Sequence, residues 1–199
     1  MNCDLKAAKK ALRKDIAAHT AELTPEYIKE SNEGILRNIL AMPEYKSAKV
    51  IFAYYSVGAE ADVLELSRRA LSEGKVIAMP CIYGKLMRFR TVSSVEELNS
   101  LLPGVFDIPA PAESAEELTP DKADMMLVPA AAFGRDGSRL GRGGGFYDRY
   151  LENFEALTVG ICREEFLFDS VPCEAHDRKV DAVVTEKGVA RPRKESRDA

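Results

Sequence analysis

The stretch "KVIFAYYSVGAEADVLELSRRALSEGKVIAMP" (Lys49–Pro80) decides the fold. It opens on "KVIFAYY" (Lys49–Tyr55), a short β-branched and aromatic run of the kind that fills a strand buried on both faces. Asp62 offers a cap for a helix through Ser72, Gly74 offers its end, and "KVIAMP" (Lys75–Pro80) predicts the next strand. Strand, helix, strand within so short a span is the order of a right-handed crossover between parallel strands.

The same order recurs downstream. "DMMLVP" (Asp124–Pro129) leads through a glycine-rich loop into a helix beginning near Phe146, "LTVGIC" (Leu157–Cys162) predicts another strand, and "KVDAVVT" (Lys179–Thr185) predicts a last one. Upstream, Leu5, Ala8, Leu12 and Ile16 recur at helical spacing while Lys6, Lys9, Lys10, Arg13 and Lys14 fill the other faces. Thr24 and Pro25 start a second helix bearing Ile28, Ile35, Leu36 and Ile39, and Pro43 stops it. "LPGVFDIPAP" (Leu102–Pro111) has too many prolines for a central strand and predicts a traversing loop. The fold class expected is α/β with a mostly parallel sheet, as one domain over 1–190. The segment 191–199, "RPRKESRDA", lacks apolar anchors and is expected to be a disordered tail.

Bulk properties narrow the partners. The 199 residues suffice for one domain with a real core. Lys+Arg 28 against Asp+Glu 32 leaves a net charge of -4, so no global positive field recommends nucleic acid or an anionic membrane, and any anion site must be local. No apolar run reaches the ~18 residues of a membrane helix, and the charged start is unlike a signal peptide, so a cytoplasmic protein is expected. Cys3, Cys81, Cys162 and Cys173 lack the paired spacing of a zinc or redox motif and are expected to be reduced filler.

The chemistry concentrates in "RLGRGGGFYDRY" (Arg139–Tyr150). Glycine loses more backbone freedom on folding than any other residue, so Gly143, Gly144 and Gly145 in a row suggest a backbone that approaches something closely. A loop between a buried strand and a helix is where α/β sheets bind phosphate, although a flexible surface turn is the plainer alternative. The spacing fits neither the Rossmann fingerprint nor a P-loop. Asp148, in the first turn of the next helix, either offsets the helix dipole or holds magnesium. Asp181 interrupts an apolar strand, either as an edge residue facing water or as a carboxylate with a metal partner.

"LVPAAAFGRDGSRLGRGGGFYDRYL" (Leu127–Leu151) closely resembles the signature of the 5-formyltetrahydrofolate cyclo-ligases. "KKALRK" (Lys9–Lys14), "YYSVGAEADV" (Tyr54–Val63), "FDIPAP" (Phe106–Pro111) and "HDRKVDAVVTE" (His176–Glu186) follow in that family's order and spacing. The resemblance implies a three-layer α/β/α sandwich and ATP-dependent cyclisation of 5-formyltetrahydrofolate to 5,10-methenyltetrahydrofolate, with magnesium. It implies that Lys9, Arg13, Arg139 and the loop Gly141, Arg142, Gly143, Gly144, Gly145, Phe146 and Tyr147 serve ATP, and that Asp148 and Asp181 hold the metal. Tyr54, Glu60, Phe106 and Tyr147 would line the folate pocket, with Glu60 and Tyr147 as candidate catalytic residues. Phe146 stands where many relatives have tyrosine, which leaves it a packing role at most. No obligatory protein partner is implied. Two other readings compete: a sugar-phosphate isomerase or transferase on a similar sheet, which would need neither ATP nor the aspartate pair, and a folate- or nucleotide-binding protein without turnover.

Overall fold

The apolar runs become the middle of a sheet because both of its faces are covered. In the computed structural model, which describes residues 2–174 and 177–192, the central sheet has eight strands. They are β1 (Val50–Phe52), β2 (Val76–Tyr83), β3 (Leu86–Val92), β4 (Glu117–Leu118), β5 (Met125–Pro129), β6 (Leu157–Ile161), β7 (Ala182–Thr185) and β8 (Gly188–Ala190). Their spatial order is β8-β7-β6-β5-β1-β2-β3-β4. The middle, from β7 to β2, is parallel throughout. Both margins are antiparallel, β8 on one side and the hairpin of β2 and β3 followed by β4 on the other.

Among the described residues six α-helices accompany the sheet: α1 (Asn2–Glu22), α2 (Pro25–Ala41), α3 (Pro43–Ser47), α4 (Leu64–Ser72), α5 (Val95–Asn99) and α6 (Phe146–Leu151). Along β5, Met125 and Leu127 pack with Ile35, Ile39 and Leu66 of α2 and α4, while Met126 and Val128 pack with Ile16 and Leu151 of α1 and α6. Successive side chains of a strand point to opposite faces. Here both faces are dry, so the run shows no polar alternation. The second face also carries a small sheet in which Ala132–Gly134 lies between Arg139–Leu140 and Leu167–Phe168.

Local signals set the helix ends. Thr24 Oγ1 accepts a hydrogen bond from the Tyr27 amide at 3.1 Å and Pro25 opens α2. Pro43, expected to stop that helix, also starts α3. Asp62 Oδ1 accepts from the Leu64 amide at 2.8 Å, and Gly74 follows α4 with φ +78°.

One expectation, on α1, needs revision, and the rest gains detail. The hairpin strand β3 had no counterpart in the sequence reading. "LPGVFDIPAP" is a loop that carries its own two-residue ladder, Leu102–Pro103 against Pro109–Ala110. On α1 the buried stripe runs through Lys9 and Ile16, whereas Ala8 is exposed. Of the expected tail, residues 193–199 lie outside the described residues; Arg191 meets Glu44 at 2.6 Å.

Candidate active site

Parallel strands that start together also end together, so the residues just after them gather at one edge of the sheet. Tyr54 and Tyr55 after β1, Pro80 and Ile82 of β2, and Pro129 with Ala130 at the end of β5 line a cavity of about 470 Å³ there. The glycine loop, Phe146, Tyr147 and Asp148 form one wall; Val105, Phe106 and Ile108 overhang it. Phe106 is 72% exposed, sits at φ 61° beside Asp107 at φ 57°, and meets the Phe146 ring edge-on at 6.4 Å. Non-glycine residues rarely hold such angles, and two in succession mark a strained arch over the cavity mouth.

Glu60 stands at the inner end of this cavity. Its Oε2 accepts from the Val57 amide at 2.9 Å and its Oε1 lies 2.9 Å from Arg142 Nη2. Burial pushes the Glu60 carboxyl above its ordinary range, and the Val57 amide and Arg142 only partly oppose this. A second cavity of about 520 Å³ lies beyond, lined by Arg13, Thr20, Arg142, Cys162 and Arg163. Val57, Glu60, Ala130 and Arg142 border both cavities, so the ion pair stands where they meet.

The loop is held from two sides. Arg13 Nε donates to the Gly141 carbonyl at 2.7 Å. Arg139, 4% exposed, pairs with Asp148, and its guanidinium lies 5.9 Å from the centre of the Tyr147 ring. Left-handed φ values fall on Gly143 (102°) and Gly145 (66°), which immediately precedes α6. Arg139 Nε and the Tyr147 hydroxyl are buried without a hydrogen-bond partner among the described residues, and both residues line the first cavity. Buried polar atoms are nearly always satisfied, so these two mark where a polar ligand group fits. Burial also raises the Tyr147 phenol, which therefore stays protonated as a donor.

The sequence candidates thus separate. Tyr54, Glu60, Phe106, Arg139, Gly141, Arg142, Gly144, Gly145, Phe146, Tyr147 and Asp148 line the first cavity, and Arg13 the second. Tyr54 contributes its ring, since its hydroxyl donates to the Ala61 carbonyl at 2.7 Å. Lys9 departs from the solvated face expected of it: its Nζ is buried between Glu174 (2.6 Å) and Asp177 (2.5 Å). Asp181 departs further. Its Oδ2 accepts from the Thr158 amide and hydroxyl at 2.8 and 2.7 Å, just before β7 begins. The cavities lie where the parallel strands end, so Asp148 and Asp181 occupy opposite edges of the sheet and do not converge on one ion. His176, within a motif that carried the resemblance, lies outside the described residues.

Arg163 went unnoticed in the sequence. The available signal was position, because β6 ends at Ile161 and the chain reaches Arg163 two residues later at the ligand-binding edge. Together the residues present an apolar slot ending on a carboxylate, adjoining a cavity lined by Arg13 and Arg142, with Arg163 in its wall bonded to neutral acceptors. Such a pair suits a flat heterocycle placed against a polyanion.

Comparison with known proteins agrees with this geometry. Residues 5–186 match the model of the 5-formyltetrahydrofolate cyclo-ligase family. A 5-formyltetrahydrofolate cyclo-ligase of Mycolicibacterium smegmatis is 34% identical, covering 82% of this chain and 86% of its own. That of Mus musculus is 26% identical over 92% and 96% respectively. The solved 5,10-methenyltetrahydrofolate synthetase of Aquifex aeolicus superposes with a TM-score of 0.84 at 32% identity, covering 96% of this chain and 95% of that one.

Proposed function

The chain belongs to the 5-formyltetrahydrofolate cyclo-ligase family, and on that premise we propose that it closes 5-formyltetrahydrofolate to 5,10-methenyltetrahydrofolate while converting ATP to ADP and phosphate. The observation that carries the reading is the apolar cavity ending on the Glu60–Arg142 pair, with a cationic cavity on its far side. The pterin fits the first against Tyr54, Phe106 and Tyr147, and the phosphates fit between the glycine loop and Arg13, Arg139 and Arg142. The formyl group then falls near the junction.

The reaction explains why such residues are needed. A formamide is a poor electrophile because nitrogen donates into its carbonyl. Attack of the formyl oxygen on the γ-phosphorus, with departure of ADP, turns that oxygen into a leaving group. The neighbouring folate nitrogen attacks the formyl carbon and gives up its proton, and the carbon–oxygen bond breaks to release phosphate. No covalent intermediate on the protein is required. Phosphoryl transfer demands alignment and charge neutralisation, which amides and guanidinium groups supply. Glu60 holds the pterin or takes a proton from it, and its raised affinity for protons suits either.

Among the described residues no group of three or more His, Cys, Asp or Glu could cage a metal. Magnesium on a nucleotide needs no cage, since one or two carboxylates with phosphates and water suffice, and Asp148 beside Arg139 fits as that carboxylate. The ion would neutralise triphosphate charge. Lys9, buried between carboxylates, is given no direct contact with ATP in this reading.

The test is to mix protein, Mg-ATP and 5-formyltetrahydrofolate and follow methenyl absorbance. Its rise, dependent on every component, supports the proposal; no rise from folded protein overturns it.

A further inference from the structure

Arg163 is 2% exposed, yet its guanidinium makes no ion pair among the described residues. Burial costs this cation more solvation than the Glu186 and Asp62 carboxylates offset from beyond ion-pair reach, so its hydrogen bonds must make up the rest locally. They all go to neutral acceptors. Nε donates to Ser31 Oγ at 3.0 Å, Nη2 to Asn32 Oδ1 at 3.1 Å, and Nη1 to the Ala59 carbonyl at 2.7 Å. A longer contact of 3.4 Å joins Nη2 to the Glu60 carbonyl.

Those acceptors belong to separate pieces of chain. Ser31 and Asn32 lie on α2, Arg163 follows β6, and Ala59 with Glu60 lie in the segment 53–63, which carries no helix or strand. Glu60 therefore sits in a loop that its own secondary structure does not fix. The loop has closures of its own: the Glu60 carboxylate accepts from the Val57 amide, and the Tyr54 and Ser56 hydroxyls donate to the Ala61 carbonyl at 2.7 and 3.2 Å. Two links tie it to the body of the protein on the α2 side: the Asp62 amide donates to Asn32 Oδ1 at 3.2 Å, and the Arg163 fork grips the carbonyls of Ala59 and Glu60 themselves.

We propose that Arg163 is a positioning residue for folate: by clamping the Ala59–Glu60 backbone to α2 and the end of β6, it holds the Glu60 carboxylate where the two cavities meet. This rests on the assignment of Glu60 to the folate made above. A guanidinium is required because a planar fork can serve four acceptors in fixed directions, whereas an ammonium of equal charge cannot. Misplacement of a contacting group by about 1 Å can cost on the order of 100-fold in rate.

Three variants test it, each screened for cooperative melting, with KM and kcat measured for both substrates and folate affinity by calorimetry. Arg163→Lys keeps the charge and should raise the KM and Kd for 5-formyltetrahydrofolate about ten-fold, with the KM for ATP within about two-fold. Ser31→Ala lines neither cavity, removes the acceptor of Arg163 Nε without touching a bond to the loop, and should give a smaller change in the same direction, which keeps the test open should Arg163→Lys fail to fold. Glu60→Gln separates this inference from its premise. If Glu60→Gln binds folate normally, the premise and the inference both fall. If it binds poorly while the folded Arg163→Lys or Ser31→Ala protein binds normally, the inference alone falls. Equal loss for folate and ATP would also overturn it, reducing Arg163 to a general structural strut.

Discussion

Arg142 reaches from the glycine loop to Glu60, Nη2 to Oε1 at 2.9 Å, and so joins the segment proposed for phosphate to the carboxylate proposed for folate. The pair is asymmetric: the Arg142 side chain is 60% exposed and that of Glu60 only 11%. A half-solvated guanidinium screens a carboxylate weakly, which is why burial still dominates at Glu60.

The sign of that shift predicts a pH dependence. A carboxyl whose folded pKa lies above its ordinary value binds more protons when folded than when unfolded between the two values. Stability therefore falls as pH rises through that window and stays lower above it. Glu60→Gln should accordingly melt at a higher temperature than the parent at neutral pH, with the gain vanishing once the pH is taken below about 4. Thermal melts across pH check this. An equal difference at every pH would assign the effect to something other than ionisation.

The glycine loop separates conformational strain from crowding. At Gly143, φ 102°, an added Cβ meets nothing within 4 Å, so Gly143→Ala should cost about 1–2 kcal/mol through backbone strain alone. At Gly144 a Cβ would lie 2.9 Å from the Phe146 ring, and no left-handed φ is involved. Gly144→Val should push that ring off its packing and weaken ATP binding at least ten-fold while the protein still melts cooperatively. Calorimetry with ATP decides it, and unchanged affinity would reduce the loop to a surface turn.

The parallel strands were legible because "KVIFAYY", "DMMLVP" and "LTVGIC" are dry on both faces and bounded by turn residues. The hairpin strand β3 was legible in principle, with Met87 and Phe89 inward and Arg88 and Arg90 alternating behind the Gly84 turn. Lys9 was not. Helical periodicity does not resolve adjacent positions such as Ala8 and Lys9, and the carboxylates that bury the ammonium come from 165 and 168 residues away. Asp181 was misplaced for a simpler reason: a residue that precedes a parallel strand lies at the edge away from the loops that follow strands.

Lys9 should now behave as a structural cation. Burial pulls its pKa down, but the hydrogen bonds to Asp177 and Glu174 outweigh this and hold it above its ordinary value. Lys9→Ala strips the ammonium from between two carboxylates. The expected loss is about 2–3 kcal/mol, below the ~3–5 kcal/mol of a wholly buried pair because Glu174 keeps 28% exposure. Denaturant titration measures it directly. An unchanged midpoint together with weakened ATP binding would return Lys9 to the nucleotide.

Asp148 and Asp181 provide the sharpest contrast, because one lines the cavity and the other lies at the opposite edge of the sheet. Asp148 pairs with the buried Arg139, so Asp148→Asn removes the charge beside the proposed triphosphate and releases a guanidinium into the same wall. Turnover should fall at least 100-fold, with folate affinity within about three-fold, since the carboxylate serves the phosphoryl-transfer transition state and not the pterin. Asp181→Asn should leave turnover within about two-fold at every magnesium concentration and lower stability by about 1 kcal/mol, the scale of its bonds to Thr158. Steady-state rates with magnesium titrated, alongside thermal melts, distinguish the two. A steep loss of turnover in folded Asp181→Asn, rescued by excess magnesium, would bring that residue back to the metal. The double variant should equal the sum of the single effects, because residues this far apart with no shared partner do not couple.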